Sequence, residues 1–258
     1  MLADAQSTGM PEVPEELTSG SIAGLTSTVD DLLGSGCKQV ALDCASLSRV
    51  TSTHINVLWS IRAKCLERSA RLTLNNVNEN LQRVLKVLDL LDMFDLQTTI
   101  RRKGSARPEA VQAAAPDEEF TIRFAASSSA VTSATTELRT RLIQRGLEEK
   151  SITELETVFY EVATNIRLHS GISRGETVTV AIALSRHEAV MEFKDCGKEF
   201  DPTSLPDNFV PSEVINRRQR RGIGVTLIKR MTDDMRYIRE NGHFNILTLR
   251  KSLERIDE

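Results

Sequence analysis

Three short stretches in the second half of the chain hold residue types that do chemistry. In EVATNIRLHS an acid, an amide and an imidazole, Glu161, Asn165 and His169, recur at spacing four. On a helix each such step advances about 40°, so the three share one side. They run along the edge of an apolar stripe formed by Leu155, Phe159, Val162 and Ile166. In FKDCGKEF, Asp195 ends a strand pattern and Gly197 follows, a residue used where backbone turns with positive φ or approaches something closely. In RRGIGVTL, Gly222 and Gly224 precede a helix, so free N–H groups and the positive end of the helix dipole face outward, as an anion site requires. Each stretch alone has a plain structural use: a solvated helix face, a turn cap at Asp195, a tight glycine connection, a satisfied core histidine at His169. The arginines from Arg217 to Arg221 read most simply as a solvated charge run. Order and context give the group its weight: an acid–amide helix, a strand ending in D-x-G, a basic loop, then G-x-G into a helix.

The elements that must position these residues are legible from periodicity. EFTIRF reads as a strand, SSAVTSATTELRTRLIQRGL as a helix ending near Gly146, and ITELETVFYEVATNIRLHS as a second helix. TVTVAIAL and HEAVMEFKD form a hairpin around Ser185 to His187, and MRYIRE and FNILTLRK a second one turned at Asn241 and Gly242. Upstream, GSIAGLTSTVDDLLGSG is a helix closed by Gly34 and Gly36, KQVALDCASL a short strand, and HINVLWSIRAKCLERSA a helix with Leu58, Ile61 and Cys65 on one face. RLTLNNV alternates as a half-buried strand. NENLQRVLKVLDLLDMF is a helix with Asn78 or Asn80 as N-cap and Leu81, Val84, Leu85, Leu88 and Leu91 as its stripe. This alternation predicts an α/β half with at least part of its sheet parallel. Between the halves, Arg101 to Glu119 is charged, Ala-rich and Pro-containing, and suits a linker.

Composition narrows the function. The chain has 258 residues, 40% hydrophobic and 27% charged, which suits two soluble globular domains. A net charge of -3 and 4% aromatics argue against nucleic-acid binding. The four cysteines are widely spaced, with no C-x-x-C pair, so neither disulfides nor a zinc site is expected. The acidic, Pro-containing start is unlike a secretory signal, and no apolar run approaches the length of a membrane span, so the expectation is a cytoplasmic protein.

EVATNIRLHS, KDCGKEFDP and RRGIGVTLIKRMTDDMRY resemble the N, G1 and G2 boxes of the Bergerat-fold (histidine-kinase-like) ATPases. Within that superfamily they are most similar to the anti-sigma-factor serine/threonine kinases of bacterial partner-switching systems. The resemblance implies ATP and Mg²⁺ as cofactors. It implies Asn165 as a Mg²⁺ ligand and Glu161 as the catalytic base on a Ser or Thr hydroxyl of a partner. Asp195 would accept from the adenine amino group, with Gly197 admitting the base, and His169 belongs to the same box. Gly222, Gly224 and the N–H groups of Val225 and Thr226 would hold the phosphates, under a lid from Asp201 to Arg221, with Arg221 reaching toward them. Where many relatives carry Gly-Thr near the last strand, this chain offers Asn245. No phosphoacceptor-histidine helix is evident.

VALDCASLSRVTSTHINVLW resembles the STAS domain of anti-sigma-factor antagonists. Asp43 matches its strand end, and Thr51, Ser52, Thr53 and His54 stand where that family has D-S-S-G. The resemblance places the phosphoacceptor at Thr53, with Ser52 its neighbour, although either hydroxyl would equally serve as a helix cap. The expected organisation is an irregular N-terminus over 1–18, a STAS-like α/β domain over 19–100, a linker over 101–119 and a Bergerat-fold α/β sandwich ATPase domain over 120–254. The expected function is an ATP-dependent protein serine/threonine kinase acting on a STAS-type antagonist, in cis or in trans, and so on a sigma factor or another regulator. The kinase resemblance also suggests a homodimer. The rival reading is a non-catalytic ATP-binding interaction module.

Overall fold

The polar punctuation and apolar periods of the sequence close into two units, Met1–Lys103 and Gly104–Glu258, in the computed structural model. The structure describes residues 10–97, 118–173, 175–205 and 222–253. Most of the predicted linker and of the predicted lid, Arg221 and the NRRQRR run included, lies outside the described residues.

In the first unit, α1 (Ser19–Gly34) opens on a Thr18 capping box and ends before Gly36, whose φ of 86° only glycine takes cheaply. Three strands follow, β1 (Gln39–Asp43), β2 (Arg71–Asn75) and β3 (Asp95–Leu96), all parallel in the order β1-β2-β3. Helices α2 (Ser52–Glu67) and α3 (Glu79–Val87) make the crossovers that parallel pairing requires. Leu58, Ile61 and Cys65 are buried on α2 as their spacing predicts. Asn78, rather than Asn80, caps α3 by accepting from Leu81 N at 2.9 Å.

The expected single helix through Phe94 is corrected. α3 stops at Val87, Asp89 takes a positive φ of 56°, and a separate 3₁₀ turn spans Leu91–Met93. The break turns Leu90 inward and leaves Leu91 only half-buried. It also sends Phe94 edge-on to Trp59, at 6.0 Å between centroids. Ahead of α1, residues 10–14 lie against the outer edge of β1. Asp43 N donates to Pro11 O and Val13 N donates to Asp43 O, both at 2.8 Å. Pro11 and Pro14 lack the N–H groups that would extend this single bridge into a strand.

The second unit is an antiparallel sheet with helices on one face. Its strands are β4 (Glu118–Ala125), β5 (Thr177–Leu184), β6 (Glu188–Asp195), β7 (Asp234–Glu240) and β8 (Phe244–Ser252), in the order β4-β5-β6-β8-β7. Strict alternation in β5 and β6 buries Val178, Val180, Ile182, Met191 and Phe193. Against that face lie α4 (Ser128–Gln144), α5 (Glu149–His169) and α6 (Ile223–Met231), with α5 between the other two. Phe159 of α5 sits between Phe124 and Phe193, with centroids at 5.8 and 5.4 Å, and these rings join helix to sheet. A partly buried ion pair from Lys251 to Glu154 (2.9 Å) ties α5 to β8, and Arg139 of α4 bridges the carboxylates of Glu149 and Glu156 on α5. The β7–β8 loop takes three residues, Asn241 to His243, rather than the two expected. Asn241 and Gly242 both have positive φ, and His243 N bonds back to Glu240 O.

Both units are mixed α/β, and six α-helices and two sheets are present among the described residues. No described helix is long and apolar enough to cross a membrane. All four cysteines are free thiols, and burial beside Asp43 pushes the Cys44 thiol up to about 12.

Candidate nucleotide site

The site of the second unit lies where α5, the end of β6 and the start of α6 converge. Glu161 is 2% exposed, far drier than carboxylates ordinarily are. A Cβ on Gly224 would stand 2.6 Å from Glu161 Oε2 and 3.7 Å from Asn165 Nδ2. Glycine therefore lets the first turn of α6 pack directly on the acid–amide line of α5. The partial positive charge of that helix start also favours the carboxylate beside it.

α6 begins at Gly222, which has a φ of 110° and offers no side chain to cap the helix. The N–H groups of Ile223, Gly224 and Val225 consequently have no acceptor among the described residues. Thr226 differs from expectation, because its N–H donates to Gly222 O at 2.9 Å. Of the N–H groups of Val225 and Thr226, both predicted to hold phosphate, only that of Val225 is without an acceptor among the described residues.

A cavity of about 40 Å³ lies beside this point, lined by Val162, Asn165, Ser170, Asp195, Phe200 and Asn245 among others. Asp195 is 5% exposed, and its Oδ1 accepts from Gly197 N at 2.8 Å. A Cβ on Gly197 would meet Ser170 O and Oγ at 2.7 Å, and Lys198 N donates to Ser170 O at 2.6 Å. Gly197 thus serves the close approach of the D-x-G loop to the end of α5. On the far side Lys229 of α6 donates to Thr203 O at 3.1 Å and also to Leu205 O, tethering the first turn after Asp201.

Of the residues expected at the site, Glu161, Asn165, Gly222, Gly224, Val225 and Thr226 are brought together around the start of α6. Asp195 lies at the cavity, and Gly197 packs beside it on Ser170. His169 is exposed at the last residue of α5 and does not line it; Ser170, the next residue, does. Spacing four carries His169 past the turn of helix that faces the sheet. Arg221 lies outside the described residues. Sequence reasoning missed Ser170, Phe200, Tyr237 and Arg239.

The donor set fits ATP with a magnesium ion. Among the described residues Asp195 Oδ2 has no donor and three backbone N–H groups at the start of α6 have no acceptor, and Asn165 supplies a neutral carboxamide oxygen of the hard type Mg²⁺ takes. Among the described residues there is no cluster of His, Cys, Asp and Glu that would hold a metal by itself, so phosphate oxygens and water would complete the shell.

In the first unit, Thr51 rather than Ser52 or Thr53 caps α2. Its side chain accepts from His54 N, and His54 Nδ1 accepts from Thr51 N at 3.1 Å. Ser52 is half-buried and Thr53 exposed, in the first turn of that helix.

Residues 124–251 match the family described as histidine kinase-like ATPase domain, and residues 4–98 match the family described as Mlab, STAS domain. Among solved structures, the RsbU and RsbW domains of Rv1364c from Mycobacterium tuberculosis align at 16% identity and a TM-score of 0.41. That alignment covers 55% of this chain and 34% of that one, well short of the relative's whole length. The SiaB–SiaC complex from Pseudomonas aeruginosa aligns at 18% identity and a TM-score of 0.39, covering 52% of this chain and 89% of that one. No curated protein matches the chain.

Proposed function

The chain carries a STAS domain followed by a histidine kinase-like ATPase domain, and from that premise we propose that it is an ATP-dependent protein serine/threonine kinase of a partner-switching system. Bound Mg-ATP would supply the transferable phosphoryl group. Asp195 Oδ2 accepts from the exocyclic amino group of the base, and Gly197 keeps the loop close enough for it to do so. The N–H groups at the start of α6 would hold phosphate oxygens, and Asn165 would give its carboxamide oxygen to the metal. Glu161 orients the acceptor hydroxyl and takes its proton. The cavity of about 40 Å³ is far below the roughly 300 Å³ or more of an ordinary small-molecule site. Base entry therefore opens it on the side of Phe200 and Pro202, next to the predicted lid.

The acceptor class is a Ser or Thr at the helix start of a STAS domain. Thr53 and Ser52 of this chain are candidates, as is the same position on a separate cytoplasmic antagonist that in turn binds a sigma factor or another regulator. One observation carries the reading: Glu161, Asn165 and the uncapped start of α6 meet at Gly224.

Titration of Mg-ATP into the full chain tests it, with Asn165→Ala alongside. Saturable binding that the variant loses is expected, followed by phosphate on Thr53, Ser52 or an added STAS protein. Replacing Glu161 by Ala should slow transfer by roughly 10²–10⁴-fold while ATP still binds. Binding without any transfer would leave a non-catalytic ATP-binding interaction module. No binding at millimolar ATP would end the nucleotide reading altogether.

A further inference from the structure

Phe200 and Pro202 line the cavity together with Ile228 of α6. From there the chain winds into a single 3₁₀ turn, Pro202–Ser204, whose two ends are held by opposite charges. At its start Asp201 Oδ1 accepts from Thr203 N at 2.8 Å and from Thr203 Oγ1 at 2.6 Å. At its end the ammonium of Lys229, the residue after Ile228, donates to Thr203 O at 3.1 Å and to Leu205 O. Carbonyls at the end of such a turn lack donors of their own, and a lysine satisfies them while its charge suits that end. The two holds differ in reach. Asp201 acts within its own turn, whereas Lys229 ties the turn to another element. Among the described residues, no other side chain from outside the segment hydrogen-bonds to Thr203, Ser204 or Leu205.

With the turn held there, the cavity encloses about 40 Å³. Its other lining residues belong to α5, α6 or the sheet, with Ser170 at the end of α5, so the wall that can give way is the one at Phe200 and Pro202. That wall is pinned through its turn by an ammonium on two carbonyls, bonds of the stronger, charge-assisted kind. We propose that Lys229 is a latch on the nucleotide cavity. Its two bonds hold the segment from Phe200 to Leu205 in the closed position, and they break before a nucleotide enters. Lys229 is a positioning residue, because it holds the wall and not the ligand. This inference rests on the nucleotide reading above and adds to it the step that limits entry. A latched state lowers the fraction of chains competent to bind, and apparent affinity falls by that fraction.

Stopped-flow binding of a ribose-labelled fluorescent ATP with Mg²⁺ to the full chain tests the latch, with Lys229→Met and Lys229→Arg alongside. Methionine keeps the apolar stem and drops the ammonium, whereas arginine keeps donors for both carbonyls. Lys229→Met should raise the association rate constant roughly ten- to a hundredfold, as loss of a hydrogen bond from a charged group allows. Its dissociation rate constant should stay within about twofold of wild type, so that Kd tightens with the faster entry. Lys229→Arg should behave as wild type. Slower or unchanged association in Lys229→Met would mean that Lys229 supports the bound form or only the fold, and would overturn the inference. Hydrogen exchange on the unliganded chain reads the latch without nucleotide. The peptide from Phe200 to Leu205 should exchange about tenfold faster in Lys229→Met, while β5 and β6 keep their protection. Equal exchange in that peptide overturns the latch whatever binds. If no chain binds the labelled ATP, the nucleotide reading falls and the exchange result alone decides whether Lys229 holds the wall.

Discussion

Two helix starts, one in each unit, use the same backbone chemistry to opposite ends. At α2 the orphan donors are closed off: Thr51 and His54, 6% and 3% exposed, satisfy each other's backbone N–H groups in a reciprocal box. At α6 no described residue closes them: Gly222 brings no side chain, and three N–H groups without an acceptor among the described residues stand beside Glu161 and Asn165. A capped start stabilises its helix by itself, whereas an uncapped start is completed by an anion. The first unit therefore uses buried polar residues to fix its fold, and the second leaves polar valences unspent around a cavity.

The sharpest way to break this contrast is to put bulk into the open start. Gly224→Ala places a Cβ 2.6 Å from Glu161 Oε2, which is buried and has little room to yield. Overpacking of this kind costs roughly 1–3 kcal/mol of fold stability, and because the contact is relieved by displacing the Glu161 carboxylate beside the phosphate donors, Mg-ATP affinity should drop as well. Calorimetry reads the loss. A Gly224→Ala chain that binds like wild type would mean that the start of α6 does not contact the ligand.

The converse substitution closes nothing and opens the other end. Thr51→Ala removes the α2 cap at a cost of about 1 kcal/mol. The chain has one tryptophan, Trp59, and it lies on α2, so its fluorescence follows unfolding of the first unit alone. The denaturation midpoint should fall while Mg-ATP affinity stays as it was. An unchanged midpoint would show that the box contributes nothing to stability.

Much of this contrast is legible in the sequence. Apolar period marks α2, α4 and α5, and the glycines of G-x-G and D-x-G point to the close approaches at Glu161 and Ser170. The rest depends on register. A two-residue β7–β8 turn would pair Asn245 with Ile238; the third loop residue, His243, pairs it with Arg239 instead. Only that shift brings Arg239 and Asn245 into line with Asp195, fifty residues away along the chain. Counting outward from a correctly sized loop would have found them. The break in α3 was hidden for another reason: Leu88 and Leu91 both continue the helical period, and nothing in the composition marks Asp89 as the residue that takes positive φ. His169 and Ser170 differ by one residue and by the side of the helix they occupy, which periodicity near a helix end does not decide.

The smallest predicted effect concerns the proton that the closed start excludes. His54 Nδ1 accepts from Thr51 N, so Nε2 carries the hydrogen and faces Pro14 O and Glu15 O at 3.2 and 3.1 Å. Burial pulls its pKa below 6.5 and outweighs those two carbonyls; Arg49 adds to the depression and the Glu15 carboxylate opposes it. The unfolded chain then binds the proton more readily than the folded one. Stability from this site is complete above the unfolded value near 6.5 and is lost as pH falls below it. A second proton would also set N–H against the Thr51 N–H and loosen the segment around Pro14 from the helix. His54→Gln keeps an N3 side chain of the type that completes a capping box and removes the titration. Trp59-monitored denaturation between pH 5 and 8 should show an acid-side fall in the wild-type midpoint that flattens in this variant. Parallel slopes in the two proteins would assign the acid sensitivity to other groups, and would leave His54 a structural cap whose protonation the fold tolerates.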